Sequence, residues 1–294
     1  MTRQWFACVE TPAIDTAGKY GAGLALEMIG KTLRELDIKS DEITISDKLG
    51  WCRVPLKGTE PTFEPGVWAN LKYDAEQDIS GDGILRCYQK DRILLGAPYH
   101  FDLVSVHDPD EFLANGGKRQ DIIDAYHSLF ELKKSGEVKA VGIGSKDWRV
   151  VADIYKDIHF DWVMLACAPT VLCHPPELLE FMRQLEAERV GIINSAIFNG
   201  GFLTGGAMYN YHCTDPQKDE ELFRRRDTFL QICEEENVLP VDAAVQYAMK
   251  KPGVVSVSLA TSKPQKVADN VRSTIIQLPD SFFEKLKTRG VTKL

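Results

Sequence analysis

Residues 102–107 read Asp-Leu-Val-Ser-Val-His, and residues 140–145 read Ala-Val-Gly-Ile-Gly-Ser. Between them Ile122, Ile123, Tyr126, Phe130 and Leu132 recur at helical spacing, Lys133 and Lys134 fall in the last turn, and Gly136 stops the pattern. Two short β-branched runs joined by a helix form a strand–helix–strand unit, whose strands run parallel. The runs are near-continuously apolar rather than alternating, as strands covered on both faces are.

Outward from this unit the same kind of run recurs at Ala13–Ala17, Glu42–Asp47, Trp162–Ala166, Val190–Ser195 and Val254–Ala260, making seven strands. Strands alternating with helices predict an α/β fold with a parallel sheet, either open and doubly wound or closed. The open type would carry a Gly-x-Gly-x-x-Gly turn after its first strand. Gly21-Ala22-Gly23 lacks the third glycine, and Gly142-Ile143-Gly144 lies inside a strand, where glycine marks close backbone approach. The reading is therefore a (β/α)8 TIM-type barrel, one domain over residues 1–294. The segment before Ala13 is too short for a strand and crossover helix, and Gln4–Val9 reads as the last turns of a helix. The barrel is thus predicted to lack its first βα unit at the N-terminus. Gly50–Asp78 reads as a long loop over the mouth, and Ser281 with Glu284 as a capping box for a closing helix.

The composition excludes several classes. With 44% hydrophobic and 27% charged residues the chain is globular, and no apolar run approaches the ~18–20 residues of a membrane span. Met1–Trp5 has no secretion-signal pattern, so a cytoplasmic protein is predicted. A net charge of −8 argues against nucleic acid as a partner, and Arg224-Arg225-Arg226, flanked by Glu220, Glu221 and Asp227, reads as a solvated helix face. The seven cysteines read as reduced thiols. Cys173-His174 and His212-Cys213 have no second ligand at finger-like spacing, so no metal site is expected.

In such a barrel the chemistry gathers at the C-terminal ends of the strands. Those positions hold Asp15, Tyr20 in the following turn, Lys48 and His107. A phenol is a poor proton donor and acceptor near neutrality. An ammonium beside it favours phenolate, a carboxylate holds the ammonium, and a histidine can orient a substrate oxygen. Such a set suits proton transfer to or from an alcohol oxygen.

These residues sit in motifs that resemble the aldo-keto reductase superfamily: Asp15-Thr16-Ala17 with Tyr20-Gly21-Ala22-Gly23, Ser46-Asp47-Lys48-Leu49-Gly50, and Asp102 to Asp108. The likeness continues through Ala140–Gly144, Asn194–Gly206 and Val267–Asn270. Asp82–Arg86, His107–Asp110 and Phe198–Gly201 look most like the aldose 1-dehydrogenase branch, which oxidises L-fucose and related sugars. The resemblance implies Tyr20 as general acid or base, Lys48 lowering its pKa, Asp15 paired with Lys48, and His107 positioning a small sugar or carbonyl substrate. It implies a nicotinamide cofactor, NADP or NAD. Ser145, Lys146 and Ser195 fall at its nicotinamide end, Ala196, Phe198, Asn199 and Gly200 at the diphosphate, and Thr261, Lys266 and Asn270 at the adenosine. Lys146 stands where relatives place Asn, Pro169 follows a strand end that carries Arg and Tyr in relatives, and Ser195 replaces the usual stacking aromatic. These departures motivate the alternative of a dinucleotide-binding regulatory protein without turnover. Lys146 could instead contact an acidic substrate such as a sugar acid. Trp51 and Trp68 are offered either to a sugar face or to packing of the long loop.

Overall fold

Each of the seven runs forms a strand in the computed structural model, which describes residues 5, 6, 8, 9 and 12–292. The expected helix end at Gln4–Val9 falls partly outside the described residues. By contact density the chain divides into a first unit within residues 2–145 and 149–162, and a second within 146–148 and 163–294.

The first unit opens with β1 (Ala13–Ala17), α1 (Leu24–Glu35) and β2 (Thr44–Leu49). After β3 (Trp51–Pro55) and β4 (Tyr73–Gln77) come α2 (Gly81–Leu95), β5 (Leu103–His107), α3 (Pro109–Ala114), α4 (Arg119–Lys134), β6 (Ala140–Ser145) and α5 (Trp148–Ile154). β1, β2, β5 and β6 are neighbours in that order and run parallel, with Ala17 opposite Lys48, Lys48 opposite Ser105, and His107 opposite Gly144. This register brings Asp15, Lys48 and His107 to one end of the sheet. Leu26 and Leu33 of α1, Ile84 and Leu95 of α2, and Tyr126 and Leu129 of α4 are buried. That covering explains the continuous apolar runs. Gly142 is required by packing: a Cβ there would lie 2.2 Å from the Trp162 ring.

Two expectations in this unit are corrected. Gly50–Asp78 is not all loop, because β3 and β4 pair antiparallel as a hairpin. Its core is Ala22, Phe63 and Ala75 with Trp51, Trp68 and Leu71 packed against them, so the two tryptophans serve packing. Nor are all cysteines free: Cys52 of β3 and Cys87 of α2 are joined as a disulfide, with Cα atoms 5.2 Å apart.

The second unit holds β7 (Trp162–Ala166), α6 (Pro176–Ala187) and β8 (Gly191–Ser195), then a short 3₁₀ segment, Asn199–Thr204. A small hairpin of β9 (Met208–Tyr209) and β10 (His212–Cys213) leads into α7 (Glu220–Glu235), α8 (Pro240–Met249), β11 (Val254–Ser258), α9 (Val267–Ile275) and α10 (Asp280–Thr288). β11 pairs parallel with β8. Phe202, Phe229, Tyr247, Phe282 and Leu286 belong to its core. On α7, Arg224 pairs with Glu221, as expected of a solvated charge-laced face; Arg226 pairs with Asp227 but is mostly buried, its guanidinium over the Phe202 and Phe223 rings, and Arg225 turns inward to the carbonyl of Val291. The capping box at Ser281 is not formed: α10 starts two residues earlier than that box requires, at Asp280 behind Pro279, with no side-chain cap. Among the described residues no helix is long and apolar enough to cross a membrane.

Candidate active site

The turn after β1 decides where Tyr20 goes. Gly21, Ala22 and Gly23 all adopt positive φ, closing a tight turn in which Tyr20 N–H donates to the Ala17 carbonyl at 3.1 Å. Gly18 has no room for a side chain, since a Cβ would meet the Asp91 carboxylate at 2.5 Å and the Trp51 carbonyl at 2.8 Å. The phenol is thereby held beside the end of β2.

There Lys48 is 5% exposed and organises the site. Its Nζ donates to the Asp15 carboxylate, to the Thr16 carbonyl at 3.2 Å and to the Tyr20 hydroxyl at 3.3 Å. His107, the last residue of β5, stands edge-on to the Tyr20 ring, centroids 5.5 Å apart. The four residues read from the strand ends therefore meet in the first unit. Burial opposes the Lys48 charge, but Asp15 and Tyr20 outweigh it and push its pKa above the ordinary lysine value. Tyr20 departs from expectation. Burial raises the phenol, and although Lys48 pulls it down, Asp15 and Asp108 add to the rise, so the net shift is upward. Both shifts favour an ammonium on Lys48 and a protonated phenol on Tyr20 at neutral pH.

Sequence reasoning missed two further charged groups. Behind β2, Asp47 and Asp91 of α2 are both fully buried. Burial pushes Asp47 to about 8 against the pull of Lys48, and it pushes Asp91 well above the carboxylate range, helped by the charge of Asp47. In front, Lys19 is only 2% exposed, with Nζ 3.0 Å from Glu64, 3.1 Å from Glu111 and 4.0 Å from Asp108. A charged residue between Gly18 and Tyr20, in a turn that has to be buried, was the available signal.

Ser145, at the end of β6, donates to Asp110 at 2.8 Å. The remaining candidates lie in the second unit. The Lys146 ammonium is 5.7 Å from the centre of the Tyr211 ring, and Ser195 donates to the Leu165 carbonyl at 3.4 Å. From Ala196 the chain takes an unusual path: Ala196, Asn199, Gly200 and Gly201 all have positive φ. Such turns expose successive amide groups of the kind that receive anions. Phe198 packs on the core beside them. Asn199 is fully buried, donating to Asn210 at 2.8 Å, and its Oδ1 has no hydrogen-bond partner. Thr261 accepts from Lys263 N–H, Lys266 ends a 3₁₀ turn that runs into α9, and the Asn270 carbonyl accepts from Ser273.

The sequence profile of the aldo/keto reductase family matches residues 7–289. Pyridoxal 4-dehydrogenase of Microbacterium luteolum is 26% identical over 295 residues, covering 94% of this chain and 83% of that protein. D-threo-aldose 1-dehydrogenase of a Pseudomonas species is 25% identical over 287 residues, covering 92% and 82%. Among solved structures, the holo form of an aldo-keto reductase from Bacillus halodurans matches with a TM-score of 0.72 at 19% identity, over 97% of this chain and 84% of that one. The glycerol dehydrogenase of Gluconobacter oxydans matches with a TM-score of 0.71 at 16% identity, over 98% and 83%. These likenesses carry the fold, α/β and of the β/α-barrel type. The profile match spans the tetrad positions and the 195–206 and 261–270 segments alike, and the chain belongs to the aldo/keto reductase family.

Proposed function

We propose that the protein is a nicotinamide-dependent oxidoreductase that interconverts a carbonyl and an alcohol on a small aldose or related aldehyde. The observation that carries this is the Lys48 ammonium held between the Asp15 carboxylate and the Tyr20 hydroxyl. The relatives named as dehydrogenases of pyridoxal and of D-threo-aldoses support the reaction class.

A bound nicotinamide supplies or accepts the hydride. The turned amides of residues 196–201 fit a phosphate-bearing ligand, and Thr261, Lys266 and Asn270 would hold its adenosine end. NADP and NAD both fit a lysine at position 266, which meets a phosphate as a point charge. In the reducing direction Tyr20 gives its phenolic proton to the carbonyl oxygen as hydride reaches the carbon. The phenolate is stabilised by Lys48, whose own charge Asp15 secures. His107 orients the same oxygen. The upward shift of Tyr20 keeps the phenol protonated through neutrality. Reduction should therefore be flat with pH until alkaline values and fall there, while oxidation rises with pH.

Tyr20→Phe tests the assignment. Turnover of an aldose and aldehyde panel with NADPH and NADH should fall by about 10²–10⁴. Dinucleotide affinity, followed by nicotinamide fluorescence, should stay close to that of the parent protein. Equal loss of both would remove Tyr20 from the chemistry.

Lys146 favours a second reading, a dinucleotide binder without turnover. An ammonium has donors only and cannot match a carboxamide's paired donor and acceptor. Binding of NADPH or NADH by a folded protein that turns over none of the panel would establish that reading instead.

A further inference from the structure

Gly18 stands two residues before Tyr20, in a slot with two walls. Where its Cβ would be, the Asp91 carboxylate oxygens of α2 lie at 2.5 and 2.9 Å and the Trp51 carbonyl of β3 at 2.8 Å. That carbonyl belongs to the peptide bond joining Trp51 to Cys52. On the other wall, Cys87 precedes Asp91 by four positions, about one helical turn, and shares its face of α2. The Cys52–Cys87 disulfide therefore joins the two walls through residues next to the atoms that meet Gly18.

Polar ties between those walls are otherwise weak. Among the described residues, the side-chain hydrogen bond from α2 to β3 runs from Lys90 Nζ to the Arg53 carbonyl, exposed and at 3.5 Å, the outer limit of such a bond. The buried Asp91 carboxylate makes no hydrogen bond to the Trp51 wall. Tyr20 depends on the slot. Its N–H reaches back over Gly18 and Lys19 to the Ala17 carbonyl at 3.1 Å, and its hydroxyl stands 3.3 Å from Lys48 Nζ. The Trp51 ring also lies against Lys19, its centre 4.6 Å from Nζ.

We propose, on the oxidoreductase reading above, that the Cys52–Cys87 bridge is a redox-controlled positioning element. Closed, it holds the Trp51 and Asp91 walls on Gly18 and keeps Tyr20 at Lys48; opened by a dithiol, it slows turnover and leaves dinucleotide binding intact. Cys52 is 8% exposed and Cys87 fully buried, so the attack falls on Cys52. A thiolate of the dithiol bonds to the Cys52 sulfur and the Cys87 thiolate departs. The second thiol then displaces the Cys52 thiolate, so the protein gains two electrons and two protons and the reductant leaves as a disulfide.

Initial rates test this on the aldose and aldehyde panel with NADPH and NADH, for the parent protein before and after dithiothreitol, well below the melting temperature of either form. Reduction should lower kcat by about ten- to a hundredfold, the scale of an ångström's misplacement, with dinucleotide affinity unmoved. Diamide, which closes dithiols, should restore the rate. The variant Cys52→Ser with Cys87→Ser should show the low rate with and without reductant. Equal kcat in both redox forms, or a variant as fast as the unreduced parent, would overturn the proposal. If both the reduced parent and the variant unfold, the bridge serves the fold and not the site, which also rejects it. If the unreduced parent turns over none of the panel, the oxidoreductase reading is what fails. Hydrogen exchange over residues 18–24 then decides the positioning role: faster exchange on reduction upholds it, and unchanged exchange rejects it.

Discussion

At the scale of single residues, the tetrad was readable because strand ends are readable. His107 closes its strand, Lys48 is the last residue but one of β2, and Asp15 lies mid-strand in β1; the register Ala17–Lys48–Ser105 brings these strands level. Partners from distant segments were not readable. Nothing local announces that Lys19 meets Glu64 and Glu111, or that Asp47 meets Asp91 across a strand and a helix. The buried acid pair has its own consequence. Asp47 has a pKa raised by folding, so the folded chain loses stability as pH climbs from the ordinary carboxylate range to about 8, and loses none below that range. Asp91→Asn removes the second ionisable group and leaves an amide that can donate to Asp47. It should stabilise the protein by about 1–3 kcal/mol at pH 8 in urea unfolding, with the gain vanishing near pH 4. A variant equally stable to the parent at both pH values would show that the pair is not the buried proton store described.

At the scale of elements, the barrel strands were legible and the additions were not. β1, β6 and β7 have the bounds read from sequence; β6 and β7 are buried almost throughout, which leaves near-continuous apolar runs. The β3–β4 hairpin was missed for the opposite reason. Arg53, Asp74 and Glu76 interrupt its two strands, and a long connection replaces the tight turn that would mark a hairpin. The Cys52–Cys87 link was equally hidden, since cysteines 35 positions apart show no spacing signal. It fastens that hairpin to α2, the helix that also carries Asp91. Thiol titration of the denatured, unreduced protein should find the five free cysteines rather than seven. Cys52→Ser should cost about 2–4 kcal/mol in urea unfolding, and reductant should destabilise the parent protein by a similar amount while leaving the variant unchanged.

At the scale of the whole molecule, the four catalytic candidates belong to one compact unit, while the segments proposed for the diphosphate and adenosine belong to the other. A dinucleotide bound as proposed draws on residues of the second unit, so its effect on global unfolding reports whether that half of the reading holds. Ligand at a hundredfold excess over its dissociation constant stabilises a folded chain by about 2.7 kcal/mol. For a chain of this size that is a rise on the order of 5 °C in Tm. NADPH or NADH should give this shift with the parent protein and a larger one with Lys146→Asn. The substitution exchanges a donor-only ammonium for an amide with both donor and acceptor, so the shift should grow for the dinucleotide the protein uses. A smaller shift in the variant would mean that Lys146 itself holds the ligand, as a cation meeting an anionic group. No shift in either protein would remove the dinucleotide from the reading, leaving the Lys48-centred site to a chemistry without hydride transfer.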